Sequence, residues 1–144
     1  MSDKFFNNAI IGNNNIVASF TKNGELQRLC FPQIDGRQFI DFFHTGVKVN
    51  NSDIIYLHQD INNKYSQKYV ENTNVLVTNI ENTYFNLKIE QVDCIMIEKN
   101  ILNKKYKFKN MSDIDLDVKF IVNSKILSNI LENFGSRIID NGII

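Results

Sequence analysis

YFNLKIEQVDCIMIEKNILNKKYKFKNMSDIDLDVKFIV, residues 84–122, decides the fold. Phe85, Leu87 and Ile89 alternate with Asn86, Lys88 and Glu90. Leu102, Tyr106 and Phe108 oppose Asn103, Lys105 and Lys107. Leu116, Val118, Phe120 and Val122 oppose Asp117, Lys119 and Asn123. Successive strand side chains point to opposite faces, so a period of two with one polar face describes an antiparallel sheet buried on one side. Working outward, residues 67–70, 75–80, 84–92, 95–98, 102–109 and 116–122 read as strands of a meander. Polar turns at Glu71-Asn72-Thr73, Glu81-Asn82-Thr83 and Asn110-Met111-Ser112-Asp113 separate them.

The earlier part of the chain carries the same grammar. Residues 16–21 and 26–31 flank Asn23-Gly24, a strong hairpin signal that predicts a two-residue type I′ turn with both central residues at positive φ. Pro32 ends the second strand, because it has no N–H to give to a ladder. A loop containing Asp35-Gly36 follows. A second hairpin is predicted to turn at Asn50-Asn51-Ser52-Asp53 and to return over residues 54–57. Only residues 124–135 break the pattern: Ile126, Leu127, Ile130, Leu131 and Phe134 recur at helical spacing, with Gly135 as a C-terminal cap, and predict a short helix. Residues 142–144 read as the start of another strand. The expectation is an all-β, antiparallel sandwich of meandering hairpins, a single domain over residues 1–144.

Composition narrows the function. The chain has 144 residues, 43% of them hydrophobic, with 16 basic and 16 acidic side chains. Balanced, interspersed charge predicts no nucleic-acid partner, since such binders present a basic face. The cluster Lys104-Lys105-Tyr106-Lys107 reads as a solvated strand face. No apolar run approaches the roughly 20 residues that span a bilayer, so no membrane partner is expected. The start, MSDKFFNN, lacks the features of a signal peptide, which points to a cytoplasmic protein. Cys30 and Cys94 lie in apolar runs and read as buried free thiols. The two Asn-x-Ser triplets, at Asn50 and Asn110, are ascribed to chance in an Asn-rich chain.

The residues form no catalytic constellation. Asp35, Asp41, Asp53 and Asp60 read as turn-makers and caps. His44, beside an aromatic run, and His58, after a strand, read as hydrogen-bonders at the edge of the core. No spacing of Cys and His suits a metal, no nucleophile elbow is present, and Gly12-Asn13-Asn14-Asn15 lacks the later glycines and the Lys of a phosphate loop. Phe39, Phe42 and Phe43 have rings that suit a sugar or a core, and burial is the commoner fate of such rings. Catalytic, cofactor-binding and metal-ligating residues, and cofactors, are accordingly all assigned as none.

Residues 8–43, NAIIGNNNIVASFTKNGELQRLCFPQIDGRQFIDFF, resemble the opening of bacterial glucoamylase-like proteins of glycoside hydrolase family 15. Ile11, Gly12, Asn13, Ala18, Gly24, Leu29, Phe31 and Pro32 fit that family's pattern; Asn14 stands where a second Gly is usual. The likeness continues more loosely through residues 69–78 and 106–110. It implies a noncatalytic N-terminal β-sandwich, the supersandwich, preceding an (α/α) helical barrel whose two glutamates hydrolyse α-glucosidic bonds with inversion. This chain carries no counterpart of those glutamates and is not expected to be an enzyme by itself. The implied role is structural or interactive within α-glucan metabolism, with a standalone carbohydrate-binding module as the alternative. The implied partners are the helical barrel, an α-glucan, and a second copy of the chain covering an exposed sheet face; the strands closing into a smaller monomeric sandwich is the other outcome.

Overall fold

The computed structural model describes residues 8–32 and 37–127, and the backbone of residues 133–139. Among these, no helix occurs; twelve strands form three four-stranded antiparallel sheets. The first sheet has the order β1 (Ala9–Gly12), β2 (Val17–Phe20), β3 (Leu26–Phe31), β4 (Arg37–Gln38). The chain then enters a second sheet with β5 (Ile40–Val49) and β6 (Ile55–Tyr56). It continues into the meander β7 (Asn63–Tyr69), β8 (Leu76–Asn82), β9 (Leu87–Ile95), β10 (Leu102–Asn110). It finally returns to the second sheet with β11 (Val118–Ile126) and β12 (Asn133–Ile139), giving the order β12-β11-β5-β6.

Alternation predicts the meander as far as β10, but the strand expected at residues 116–122 leaves it: β11 pairs with β5 and β12 instead. Leu87, Ile89, Gln91, Asp93 and Ile95 of β9 are buried, and Lys88 between them is exposed. Its apolar face packs against both other sheets. One core joins Ala9, Ile11, Ala18, Phe20 and Leu26 of the first sheet with Leu76 and Ile95 of the meander. The other joins Val47 and Val49 of β5 with Ile80, Leu87 and Ile89. This is a sandwich in which one sheet faces two. Each fully buried side chain such as Phe20 or Ile80 contributes about 1.5–3 kcal/mol through removal from water.

Several local expectations are corrected. Gly24 takes φ +82 but Asn23 keeps an ordinary negative φ, so the first hairpin is not a type I′ turn. Gly24 N–H donates to Thr21 O, and Thr21 N–H to Glu25 O, each at 3.0 Å. That is a three-residue loop closed by a left-handed glycine. Thr21 favours it, because its Oγ1 accepts from the N–H groups of Asn23 and Glu25. The helix expected over residues 124–135 is replaced by strand at Ser124–Ile126 and again from Asn133; residues 128–132 lie outside the described residues. Ser124 and Lys125 pair with Phe43 and Phe42 of β5, and Asn133 with Ile126. Branched apolar residues serve either structure, and available strand partners decide between them.

Residues 96–101 form the turn between β9 and β10 rather than a strand, with Met96 N–H bonded to Ile101 O. Tyr84 and Phe85 are likewise in a turn, their N–H groups held by Asn82 Oδ1. Both cysteines are free but half-buried. The second hairpin turns at Asn50, φ 52, as the sequence reads.

Candidate functional site

The hairpin tip between β2 and β3 is where the polar chemistry converges. Thr21 and Gly24 are buried against the meander. Gln67 Nε2 donates to Thr21 O and to Thr78 Oγ1, both at 3.0 Å. Gln91 Nε2 donates to Gly24 O at 2.8 Å and to Asp93 Oδ2 at 2.6 Å. Lys104 Nζ donates to Asp93 Oδ1; the two residues are direct cross-strand partners on β10 and β9. Lys104 is therefore an interior residue, not part of a solvated face. Its ammonium sits 4.9 Å from the centroid of the Phe20 ring and 5.6 Å from that of Phe43. Burial pulls the Lys104 amine below its ordinary pKa, and Asp93 opposes that pull. Next to it, burial and then the Asp93 charge push the Tyr106 phenol well up.

Glu25 emerges on the outer side of the same hairpin, and two histidines meet it. His44 lies on β5 and His58 just after β6. Glu25 Oε1 is 3.4 Å from His44 Nε2 and 3.8 Å from His58 Nε2. The two imidazoles lie 4.8 Å apart at an interplanar angle of 31°. Asn23 Nδ2 donates to His58 O at 2.8 Å, tying the hairpin to the segment that carries His58. Burial lowers the His58 pKa, Glu25 raises it, and His44 lowers it again, so the ring favours its neutral form. Nothing in the spacing of residues 25, 44 and 58 announces this group. Its signal is topological: an Asn-Gly hairpin facing a strand pair with a histidine on each strand's line.

The other residues that the sequence marks are placed apart. Asp41 is paired with Lys125 at 3.2 Å, Asp53 is exposed in a turn, and Asp60 Oδ1 accepts from Asn62 N–H. Asp35 lies outside the described residues. Phe39, Phe42 and Phe43 are half-buried, and Phe43 packs on the first core. The Gly12-Asn13 loop is a bracket: Asn13 Oδ1 accepts from the N–H groups of Asn15 and Ile16, and its Nδ2 donates to Met96 O and Lys99 O across the sandwich. Asn74 Nδ2 reaches Gly12 O from the other side at 3.0 Å. Beside this bracket the β7–β8 and β9–β10 turns form an apolar groove that includes Val70, Met96 and Ile97.

Over 126 residues the chain is 30% identical to an uncharacterized glycosyl hydrolase of Methanocaldococcus jannaschii, an alignment covering 86% of this chain and 20% of that protein. The chain thus spans about a fifth of the length of the curated relative it matches. No protein-family model matches the chain, and no solved structure does.

Proposed function

We propose that this chain is a noncatalytic N-terminal β-sandwich of a glucoamylase-like glycosyl hydrolase, with a structural and interaction role in α-glucan metabolism. The observation that carries this is the likeness to a glycosyl hydrolase over most of this chain but only a fifth of the relative. Two features support it. The opening residues that carry the family resemblance are used structurally, with Asn13 bracing the β1–β2 turn against the β9–β10 turn. The exposed groove at that end is lined by aliphatic side chains such as Ile97, 84% exposed, which suits protein contact better than sugar stacking. Its one aromatic, Tyr69, has its hydroxyl engaged with the backbone of Ile10.

The test pairs the chain with a helical-barrel catalytic domain of a glucoamylase-like protein. Co-elution in size-exclusion chromatography as a 1:1 complex is expected, with no glucose released from maltooligosaccharides by the chain alone. Absence of a complex, together with retardation of the chain in native gels containing glycogen, would replace this reading with a standalone carbohydrate-binding module.

A further inference from the structure

We propose that Glu25, His44 and His58 form a binding site for a zinc-class divalent metal ion, with two imidazoles and one carboxylate as protein ligands and the remaining position open to water. One donor atom from each side chain lies within 4.8 Å of the others. The Glu25–His44 and Glu25–His58 separations, 3.4 and 3.8 Å, exceed an ordinary N–H···O hydrogen bond. They are close to the spacing of about 3.3 Å between donors at a tetrahedral zinc with bonds of about 2.0–2.1 Å. Two imidazoles and a carboxylate are also the donor set that zinc, cobalt and nickel take in preference to magnesium or calcium.

The backbone behind each ligand is fixed. Glu25 N–H is held by Thr21 Oγ1, and His58 O by Asn23. Leu57 N–H bonds to Thr45 O, which locks the residues next to His58 and His44 together. The donors, already within 4.8 Å of one another, would close around an ion by side-chain rotation on this held backbone. The His44 side chain retains 32% exposure and His58 10%, which leaves one side of the cluster open to entering metal and to water. A bound ion would clip the β2–β3 hairpin to the β5–β6 pair, joining the first sheet to the second. This assignment is independent of any part the chain plays in α-glucan metabolism.

The experiment is isothermal titration of the purified, untagged chain with zinc chloride, repeated with cobalt chloride under visible absorption. One zinc per chain, a cobalt spectrum of tetrahedral intensity, and a raised thermal midpoint with zinc are expected; magnesium and calcium should give no such change. Glu25→Gln, His44→Ala and His58→Ala should each weaken zinc by about tenfold or more, at least the loss seen for a supporting residue around a metal. Cys30→Ser and Cys94→Ser should bind as the parent does, which separates this site from adventitious thiolate binding. Circular dichroism checks each fold; if His58→Ala fails to fold, Glu25→Gln and His44→Ala decide. No zinc binding by the parent chain, or binding retained in a folded ligand variant, or binding lost in a cysteine variant, overturns the assignment.

Discussion

The β2–β3 turn and the β5–β6 turn are both written in asparagine, yet one is inside the molecule and the other outside. In the first, the left-handed residue is Gly24, buried, with its carbonyl held by Gln91 and Thr78 packed over its Cα. In the second it is Asn50, exposed, whose N–H and Oδ1 meet Asp117 across the strand ends. Both turns satisfy the same backbone demand. They differ in what rests on them: the first is a plug between two cores, the second a surface reversal. A turn signal in a sequence reports the φ that the chain needs, and the neighbours decide how costly a wrong residue becomes.

The platform beneath the inner turn should show the largest effect. Asp93→Ala strands Lys104 as a buried, unpaired cation and frees the amide of Gln91 that grips Gly24. A loss of about 3–5 kcal/mol is expected, because breaking one side of a buried pair leaves an uncompensated charge. Urea unfolding measures it. The double variant Asp93→Leu with Lys104→Met should recover most of that loss, since it removes both charges from the interior. A loss below about 1 kcal/mol for Asp93→Ala would mean that the inner turn is not supported from this platform.

The two turns can then be compared directly. Gly24→Val places a β-branched residue at φ +82, and its Cβ would lie 3.0 Å from a Thr78 side-chain carbon. Strain and overlap together should cost about 1–3 kcal/mol, towards the upper end. At the outer turn, Asn50→Ala keeps the chain at φ 52 and removes the Oδ1 that accepts from Asp117 N–H, and about 1–2 kcal/mol is expected from the left-handed conformation and the lost surface hydrogen bond. Thermal melts of both variants rank them. Equal losses would break the distinction between a buried turn and a surface one.

Much of this was legible. Leu87 and Ile89 with Lys88 between them fixed β9, and Asn50 fixed its turn, because such signals lie within a few residues. Four features were not. The inward lysine was hidden by its neighbours: Lys104 shares parity with Leu102 and Tyr106, but the run of lysines around it imitates a solvated face. Its partner Asp93 sits at the parity of Ile89 and Ile95, so a charge on the apolar side of each of two adjacent strands was the available clue. The pairing of β5 with β11 joins residues about 70 or more apart, such as Phe120 with Val47, and no local pattern encodes it. The Glu25–His44–His58 group follows from the β2–β3 hairpin facing the β5–β6 pair and is invisible without that contact. The strand after Ser124 went the same way, since its apolar doublets fit helix and sheet until β5 supplies a partner.

Tyr106→Phe should give the smallest change, and it asks which polar atoms of the interior hold the inner turn. The Tyr106 ring contacts Phe120 at 4.7 Å between centroids, a contact that phenylalanine preserves. Its hydroxyl is buried and makes no hydrogen bond; Thr45 lies near enough to influence its ionisation but not in a well-formed bond. A buried hydroxyl without a partner carries a desolvation cost of about 1–3 kcal/mol. Deleting the oxygen should therefore leave stability unchanged or raise it by up to about 1 kcal/mol, part of the gain being lost to the small void. Denaturant midpoints of parent and variant, at constant slope, give the answer. A loss greater than about 1 kcal/mol would place the hydroxyl among the groups that hold the interior together, alongside Gln91 and Asp93, and would extend the polar platform beneath the inner turn to Thr45 on β5.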